Sequence, residues 1–372
     1  MKLIIAGDVV TNESNEELFS NQELKKIMGE ELFNIWNKTN YKVFNLEAPI
    51  TNSMNAIEKN GPNLKNCKNV ISGIKHMNPT CIMLANNHIM DYSSEGLQDT
   101  IKVLDQNDID WIGVGNNKQE LKKYYIIDKK IGIYNCCETE FSNASKDICG
   151  ANYYDEFEIE KDLKALKDMC EYVIVIYHGG KEYYRYPSPM LQKRCRQMIN
   201  YGANLVTCQH THCVGCKEEY DKGTIIYGQG NFIFNSRSDE FWDTSILLNI
   251  DLEDFSIEYI PIERTSEGTK LAEPDTAKNI LKGFEERSEQ IKQDGFVEEE
   301  FSKFADKMIL SYIYISRNYG FFRRVFKKLF PRIVKKIELR KTKKIYALLN
   351  SIRCEAHREV FINGLENIVN KK

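Results

Sequence analysis

The sequence predicts an α/β fold with a C-terminal helical appendage. Three observations carry that expectation. Short Val- and Ile-rich runs of strand length alternate with amphipathic stretches of helix length over residues 1–271. Several of the runs end in a residue able to ligate a metal or move a proton, at the strand end where α/β folds place their ligands. From residue 272 the texture changes to long, charged, helix-favouring sequence with almost no strand signal. The domain boundary is placed there, giving 1–271 and 272–372.

Residues 2–6 read as a strand ending in Gly7-Asp8. Two short helices (22–28 and 30–37) precede a strand at 41–45, which runs into Asn45-Leu46-Glu47-Ala48-Pro49. The third strand, 81–84, delivers Asn86-Asn87-His88, with Asp91 three residues on. Ser94 reads as the N-cap of a helix over 95–107, whose Leu97, Ile101 and Leu104 keep helical spacing. After a strand at 110–112, Gly113-Val114-Gly115 reads as a turn that needs positive φ. Residues 124–135 read as a hairpin, 158–170 as a helix, and 172–177 as a buried strand that reaches His178-Gly179-Gly180. A helix at 189–201 leads to a strand at 205–207 and then Cys208-Gln209-His210-Thr211-His212. After a strand at 224–227, Gly228-Gln229-Gly230-Asn231-Phe232 is either a plain turn or a bend that brings backbone close to a ligand. Residues 245–251 and 255–262 alternate well enough for a closing hairpin. Pro331 divides the basic C-terminal stretch into two helical pieces.

With 372 residues, 42% hydrophobic and 28% charged, the composition is that of a soluble globular protein. The net charge of −3 is unevenly spread: residues 321–344 hold eleven Lys or Arg against one Glu, a local +10 that leaves −13 elsewhere. The N-terminal residues reach a charge too early for the apolar core of a secretory signal, and no run approaches the ~20 apolar residues of a spanning helix. Eleven irregularly spaced cysteines fit reduced thiols. These features predict a cytoplasmic protein.

Three of the six histidines lie at predicted strand ends. His210 and His212, in extended backbone, would point to the same side roughly 6 to 7 Å apart at the Cα, a spacing that serves one ion or two adjacent ions. A His-x-His pair also occurs as two surface or hydrogen-bonded rings. Asp8, Glu47, Asn87, His178, His210 and His212 together make a mixed carboxylate, amide and imidazole set. Such a set suits one or two divalent ions such as Mn, Fe or Zn, and it is too large for one tetrahedral zinc. Asp91 is either a partner that orients His88 or a helix N-terminal carboxylate favoured by the dipole. Glu182, Tyr183 and Arg185 follow His178 closely and are placed either at an anionic substrate or in a solvated loop, and Asn231 joins them as a substrate contact. Cys213 and Cys216 make a poor zinc knuckle with His210 and His212, because adjacent His212 and Cys213 should point apart.

Several motifs in one order resemble the CapA-type family, the poly-gamma-glutamate capsule synthesis proteins, themselves similar to calcineurin-like metallophosphoesterases. They are Gly7-Asp8, Asn45-Leu46-Glu47-Ala48-Pro49-Ile50-Thr51, Ala85-Asn86-Asn87-His88-Ile89-Met90-Asp91-Tyr92, His178-Gly179-Gly180-Lys181-Glu182-Tyr183, His210-Thr211-His212 and Tyr227-Gly228-Gln229-Gly230-Asn231-Phe232. The resemblance implies a sandwich of two mixed β-sheets flanked by helices. It further implies that Glu47 bridges two metals, with Asp8 and His212 completing one site and Asn87, His178 and His210 the other, and that His88 is a general acid. The phosphoesterase pattern has a His where this chain has Val10, which leaves one site short of a ligand. Gln209 stands where the family favours Gly.

The expected function is a metal-dependent hydrolase of the phosphoesterase type, in capsule or surface-polymer biosynthesis, acting on a phosphoester or an anionic polymer. An amide hydrolase acting on poly-gamma-glutamate and a non-catalytic scaffold of a capsule assembly complex are the alternatives. The basic stretch 321–344 has the make-up of an interfacial helix that contacts the inner membrane surface as a peripheral partner, or of a stripe that packs on the metal domain. A basic stretch alone gives only non-specific nucleic-acid binding, so no specific nucleic acid is expected.

Overall fold

Strand β1 (Lys2–Val9) sends Leu3 and Ile5 into one apolar cluster and Ile4 and Ala6 into another. A strand apolar on both faces needs a layer on each side of its sheet. The computed structural model, which describes residues 1–315 and the isolated positions 349, 352, 357, 362 and 365, supplies both layers.

The first sheet takes β1, β2 (Tyr41–Leu46), β3 (Cys81–Met83) and β4 (Trp111–Ile112) from the start of the chain. The second takes β5 (Tyr124–Ile127), β6 (Ile131–Cys137), β7 (Tyr172–His178), β8 (Leu205–Gln209), β9 (Lys217–Tyr220) and β10 (Gly223–Ile226). The chain then returns to the first sheet with β11 (Asn231–Ile233), β12 (Thr244–Asp251), β13 (Ile257–Arg264) and β14 (Thr269–Leu271). The first sheet runs β14-β13-β12-β1-β2-β3-β4, with β11 also paired to β1. The second runs β9-β10-β8-β7-β6-β5. Both are mixed: the site-bearing strands β1, β2, β3 and β11, and β6, β7 and β8, are parallel, with antiparallel strands outside them.

Leu3, Ile5, Val43 and Met83 meet Ile133, Ile174, Ile176 and Ile226 between the sheets. On the outer face of the first sheet, Ile4, Phe44 and Ile82 pack against five helices. These are α1 (Glu16–Ser20), α2 (Leu24–Met28), α3 (Glu30–Lys38), α4 (Ile71–His76) and α5 (Ser93–Asp105). Outside the second sheet, Val173, Val175 and Val206 meet α6 (Ile159–Met169) and α7 (Pro189–Asn200). The result is the expected sandwich of two mixed sheets flanked by helices.

Two polar stitches join the sheets where β1 bulges between Ile5 and Asp8. The Gln209 amide donates to Ala6 O at 3.0 Å, and Gln229 donates to Ile5 O at 3.0 Å. Gln209 thus satisfies a carbonyl beside the bulge. Gly7 is required at the same point, because a Cβ there would lie 2.1 Å from Gly230 O.

Several expectations need correction. The helix expected to be capped by Ser94 starts at Ser93, has Tyr92 at its N-cap and makes no side-chain cap bond. The short strands β9, β11 and β14 were not foreseen; β11 occupies the second half of the bend read as a turn at 228–232. The chain divides into two compact units, Met1–Phe301 and Ser302–Lys372. A short helix α8 (Glu240–Asp243) precedes β12, and α9 (Pro274–Gln290) and α10 (Phe296–Ile315) follow the sheets. Helix α9 belongs to the first unit because Ile280 and Phe284 enter the inter-sheet core and Arg287 donates to Val214 O and Gly215 O. The basic stretch 321–344 lies outside the described residues. Among the described residues no helix is long and apolar enough to cross a membrane, and the described cysteines are free thiols.

Candidate metal centre

The parallel strands of both sheets end at one place. Asp8 is paired in register with Asn45 of β2 and Asn231 of β11, so three polar residues stand side by side at the carboxyl edge of the first sheet. In the second sheet His178 is in register with Gln209 of β8 and Cys137 of β6, which puts His210 and Glu138 one residue past the same line. Glu47 follows the end of β2, and Asn87 and His88 follow β3.

These side chains converge. The ligand atoms of Asp8, Glu47 and His212 lie within 4.8 Å of one another, as do those of Glu47, His178 and His210, and those of Glu182, His210 and His212. His178 Nε2 is 3.1 Å from Asn87 Oδ1 and 3.3 Å from Glu47 Oε1. Donors bonded to an octahedral ion at ~2.1 Å lie about 3 Å apart, so this spacing fits a shared cation. Glu47 is fully buried, and neither carboxylate oxygen accepts a hydrogen bond. The buried Nδ1 of His210 also has no partner. Both groups present lone pairs that a divalent ion would satisfy.

The rings are held from behind. Asp8 accepts from the Asn45 amide at 2.7 Å and from His210 N at 3.2 Å. His212 Nδ1 lies 2.8 Å from Asn231 Oδ1, and His210 Nε2 lies 3.4 Å from Glu138 Oε1. Carboxylates and amides behind ligating imidazoles fix ring orientation in this way. Burial disfavours charge on His178, but the Asp8 and Glu47 carboxylates outweigh it and raise its pKa to about 10. Asp8, despite its burial, is held below the ordinary carboxylate range by His178 and His212. Burial and the neighbouring His178 and His212 push His210 well down, which keeps its lone pair free.

The expectation of extended backbone through His210 and His212 is corrected. Strand β8 ends at Gln209, and the two histidines adopt left-handed φ of 73° and 55°. Such residues cost of order 1–3 kcal/mol each and persist where surroundings hold them. The reversal brings the ring centroids to 5.9 Å from each other and His210 to 4.9 Å from His178.

Beside this cluster opens a cavity of about 600 Å³ whose wall includes His88, Glu182, Tyr183, His212 and Val10. His88 Nδ1 lies 2.7 Å from Asp91 Oδ2. Asp91, fully buried, also accepts from Leu64 N at 2.6 Å and pairs through Oδ1 with Lys59 Nζ at 2.5 Å. Lys59 is 3.1 Å from the same His88 nitrogen, which cannot both donate to Asp91 and accept from Lys59. The shorter contact assigns the Nδ1 proton to Asp91, and Lys59 is spent on the other carboxylate oxygen.

Of the four residues expected at a substrate, Glu182 and Tyr183 line the cavity and two do not. Arg185 is paired with Glu240 at 2.7 Å and stacks on Phe241, because the chain turns at Tyr183 with φ 58° and carries it away. Asn231 is buried behind His212. Sequence reasoning missed Arg237 and Lys65 in the cavity wall, Lys59 under His88, and Glu138. Glu138 follows a strand end like the other candidates, so the same signal would have found it.

Residues 2–236 match the family described as bacterial capsule synthesis protein PGA_cap. Capsule biosynthesis protein CapA of Bacillus anthracis is 28% identical over 176 residues, 44% of this chain and 42% of that protein. PGA biosynthesis protein CapA of Bacillus subtilis (strain 168) is 28% identical over 208 residues, 54% of this chain and 55% of that protein. The chain spans about half the length of these curated relatives. Among solved structures, a hypothetical protein from Thermus thermophilus is similar at TM-score 0.44 and 11% identity, covering 71% of this chain and 100% of that one. Purple acid phosphatase PPD1 from yellow lupin seeds is similar at TM-score 0.32 and 11% identity, covering 76% and 55%. With a match that runs from β1 through β11 and takes in every strand end at the candidate metal centre, the chain belongs to the family of bacterial capsule synthesis proteins.

Proposed function

We propose that this chain is a metal-dependent hydrolase of the phosphoesterase type, working in the synthesis or remodelling of a capsule or other surface polymer. The observation that carries the reading is Glu47: fully buried, with no donor to either oxygen, and ringed by Asp8, His178, His210 and His212. Burying a carboxylate without hydrogen-bond donors is costly, and a divalent ion held among these side chains would offset that cost. Asp8, Glu47 and His212 would hold one ion and Glu47, Asn87, His178 and His210 another, and mixed nitrogen and oxygen donors suit Mn, Fe or Zn. Bound there, such ions supply Lewis acidity and a water of lowered pKa.

His88 presents its ring to the cavity, and with Nδ1 donating to Asp91 its Nε2 faces the leaving oxygen: as the doubly protonated imidazolium it would give the Nε2 proton to that oxygen and return to the neutral ring with Nδ1–H still on Asp91. Asp91 fixes the ring, and Lys59 offsets the charge of Asp91. Tyr183, Phe234 and Trp242 give the cavity an apolar wall that limits water.

Amide hydrolysis of a poly-gamma-glutamate chain is a second reading. It is favoured by Lys65 and Arg237 in the wall, which suit a carboxylate-bearing polymer, and by a relative named for PGA biosynthesis. A scaffold role is favoured by Val10 in the cavity wall, in the place of the phosphoesterase histidine. Elemental analysis of protein purified without chelator, wild type against Glu47→Ala, followed by phosphodiester, phosphomonoester and γ-glutamyl amide substrates with Mn, separates them. We expect metal in the wild type only, with phosphoester turnover. Turnover of γ-glutamyl amides alone selects the second reading, metal without turnover selects the scaffold, and a wild type that takes up no metal refutes the hydrolase.

A further inference from the structure

We propose that Arg237, seated on Trp242 and Tyr183, together with Lys65, forms a subsite for an anionic group flanking the bond to be cleaved, so that the substrate is an oligoanion. The inference rests on reading the same cavity as a hydrolytic site and adds what lies beside the reacting group. The Arg237 guanidinium carbon is 3.5 Å from the centre of the Trp242 ring and 5.9 Å from that of Tyr183, and Arg237 also donates to the Tyr183 hydroxyl. Lys65 Nζ donates to Ser53 O at 2.8 Å, reaches Met54 Sδ at 3.6 Å and lies 4.8 Å from the centre of the Tyr92 ring. The partners of both cations are thus neutral. Arg185 differs, because Glu240 already compensates it.

A guanidinium laid flat on an aromatic face loses little further freedom when it binds, and its edge offers two parallel donors to a carboxylate or phosphate. The same aromatic wall continues to the metal centre: Trp242 is 4.7 Å from the His212 ring, centre to centre, and Phe234 is 5.7 Å from it. A group gripped by Arg237 is therefore one aromatic residue away from a metal-ligating histidine. The cavity of about 600 Å³ falls in the range that holds a ligand of several units. Glu182 is the opposing charge in this wall, and it lies with His210 and His212. Arg237 supplies positive charge at a distance from the histidines, so it would hold a flanking anion there while the scissile group lies toward His212.

Calorimetric titration of the Mn-loaded full chain tests this with γ-linked tetraglutamate, the same tetramer with its α-carboxylates amidated, a glycerol phosphate trimer, and orthophosphate. We expect at least one of the two oligoanions to bind about tenfold or more tightly than orthophosphate, and the amidated tetramer to lose any advantage that the tetraglutamate shows. Which oligoanion wins identifies carboxylate or phosphate as the flanking group. Arg237→Gln, at an exposed position, should remove about tenfold or more of the oligoanion affinity and so narrow the lead of the oligoanion over orthophosphate. The proposal is overturned if the wild type binds neither oligoanion better than orthophosphate, or if Arg237→Gln leaves oligoanion affinity within about twofold. Failure of the hydrolytic reading shows separately, as a wild type that takes up no Mn while the Arg237 effect on oligoanion binding persists.

Discussion

Replacing Lys59 with Met should destabilise the first unit far more than an ordinary lysine substitution. The Lys59 side chain is 2% exposed and its Asp91 partner is 0% exposed, so the pair is shielded from solvent. Removing one partner of a buried pair leaves an uncompensated charge, at a typical cost of ~3–5 kcal/mol. Asp91 keeps two other contacts, Leu64 N at 2.6 Å and His88 Nδ1 at 2.7 Å, which places the loss at the lower end, about 3 kcal/mol. Met matches the length of the lysine stem, so the loss is one of charge and not of packing. Urea unfolding of wild type, Lys59→Met, Asp91→Leu and the double variant measures it. The double variant removes both charges and should recover much of what the Lys59→Met change loses. An unfolding free energy for Lys59→Met within about 0.5 kcal/mol of wild type would refute the reasoning, as would a double variant no better than the sum of the singles.

His88→Asn should keep its metal and lose ~10² to 10⁴ in kcat, with substrates carrying good leaving groups largely spared; metal loss measured by elemental analysis would instead make His88 a ligand. Gly7→Ala drives a Cβ to within 2.1 Å of Gly230 O and should lower the unfolding temperature markedly, read by thermal denaturation against wild type; an unchanged transition would show that the backbone yields there. Burial raises the Asp99 carboxyl, but Lys68 at 2.8 Å and Thr51 at 2.6 Å outweigh it and hold the group below its ordinary value of 3.8. A carboxyl lowered by folding contributes stability above its unfolded pKa and loses it as pH falls through the folded one. Denaturation of Asp99→Asn should accordingly show a shallower loss of stability below pH 3.8 than wild type. Deleting residues 321–344 should abolish co-sedimentation with anionic liposomes that weakens in salt, whereas a deletion that unfolds the protein, seen by circular dichroism, would assign the stripe to packing.

The sheets were legible because their signal is local. Leu3, Ile4, Ile5 and Ala6 are apolar without alternation, which is what a strand covered on both faces requires, and the polar residue after each such run marks the carboxyl edge. All six proposed ligands were found that way, and Glu138 would have been. The strands that escaped notice, β9, β11 and β14 together with the pair Val114–Gly115 and Gly150–Ala151, are two to four residues long and too short to show a period. What stands opposite the strand ends was illegible for a different reason. Lys59 reaches Asp91 across 32 positions, and Arg237 reaches Tyr183 across 54, each from irregular backbone whose course depends on loop closure. Arg185 shows the consequence: two residues from Tyr183 it was the natural choice for an anion grip, yet a left-handed residue at 183 turns it onto Glu240. Proximity in sequence selected an arginine that the fold pairs with a glutamate outside the cavity wall. The same left-handed turns at His210 and His212 bring both rings, expected on one face of a strand, into reach of Glu47. Strained backbone at these positions is tolerated because the stitched, doubly covered sheets on either side fix both ends of each turn, so the rigidity of the sandwich is what makes the geometry of the centre attainable.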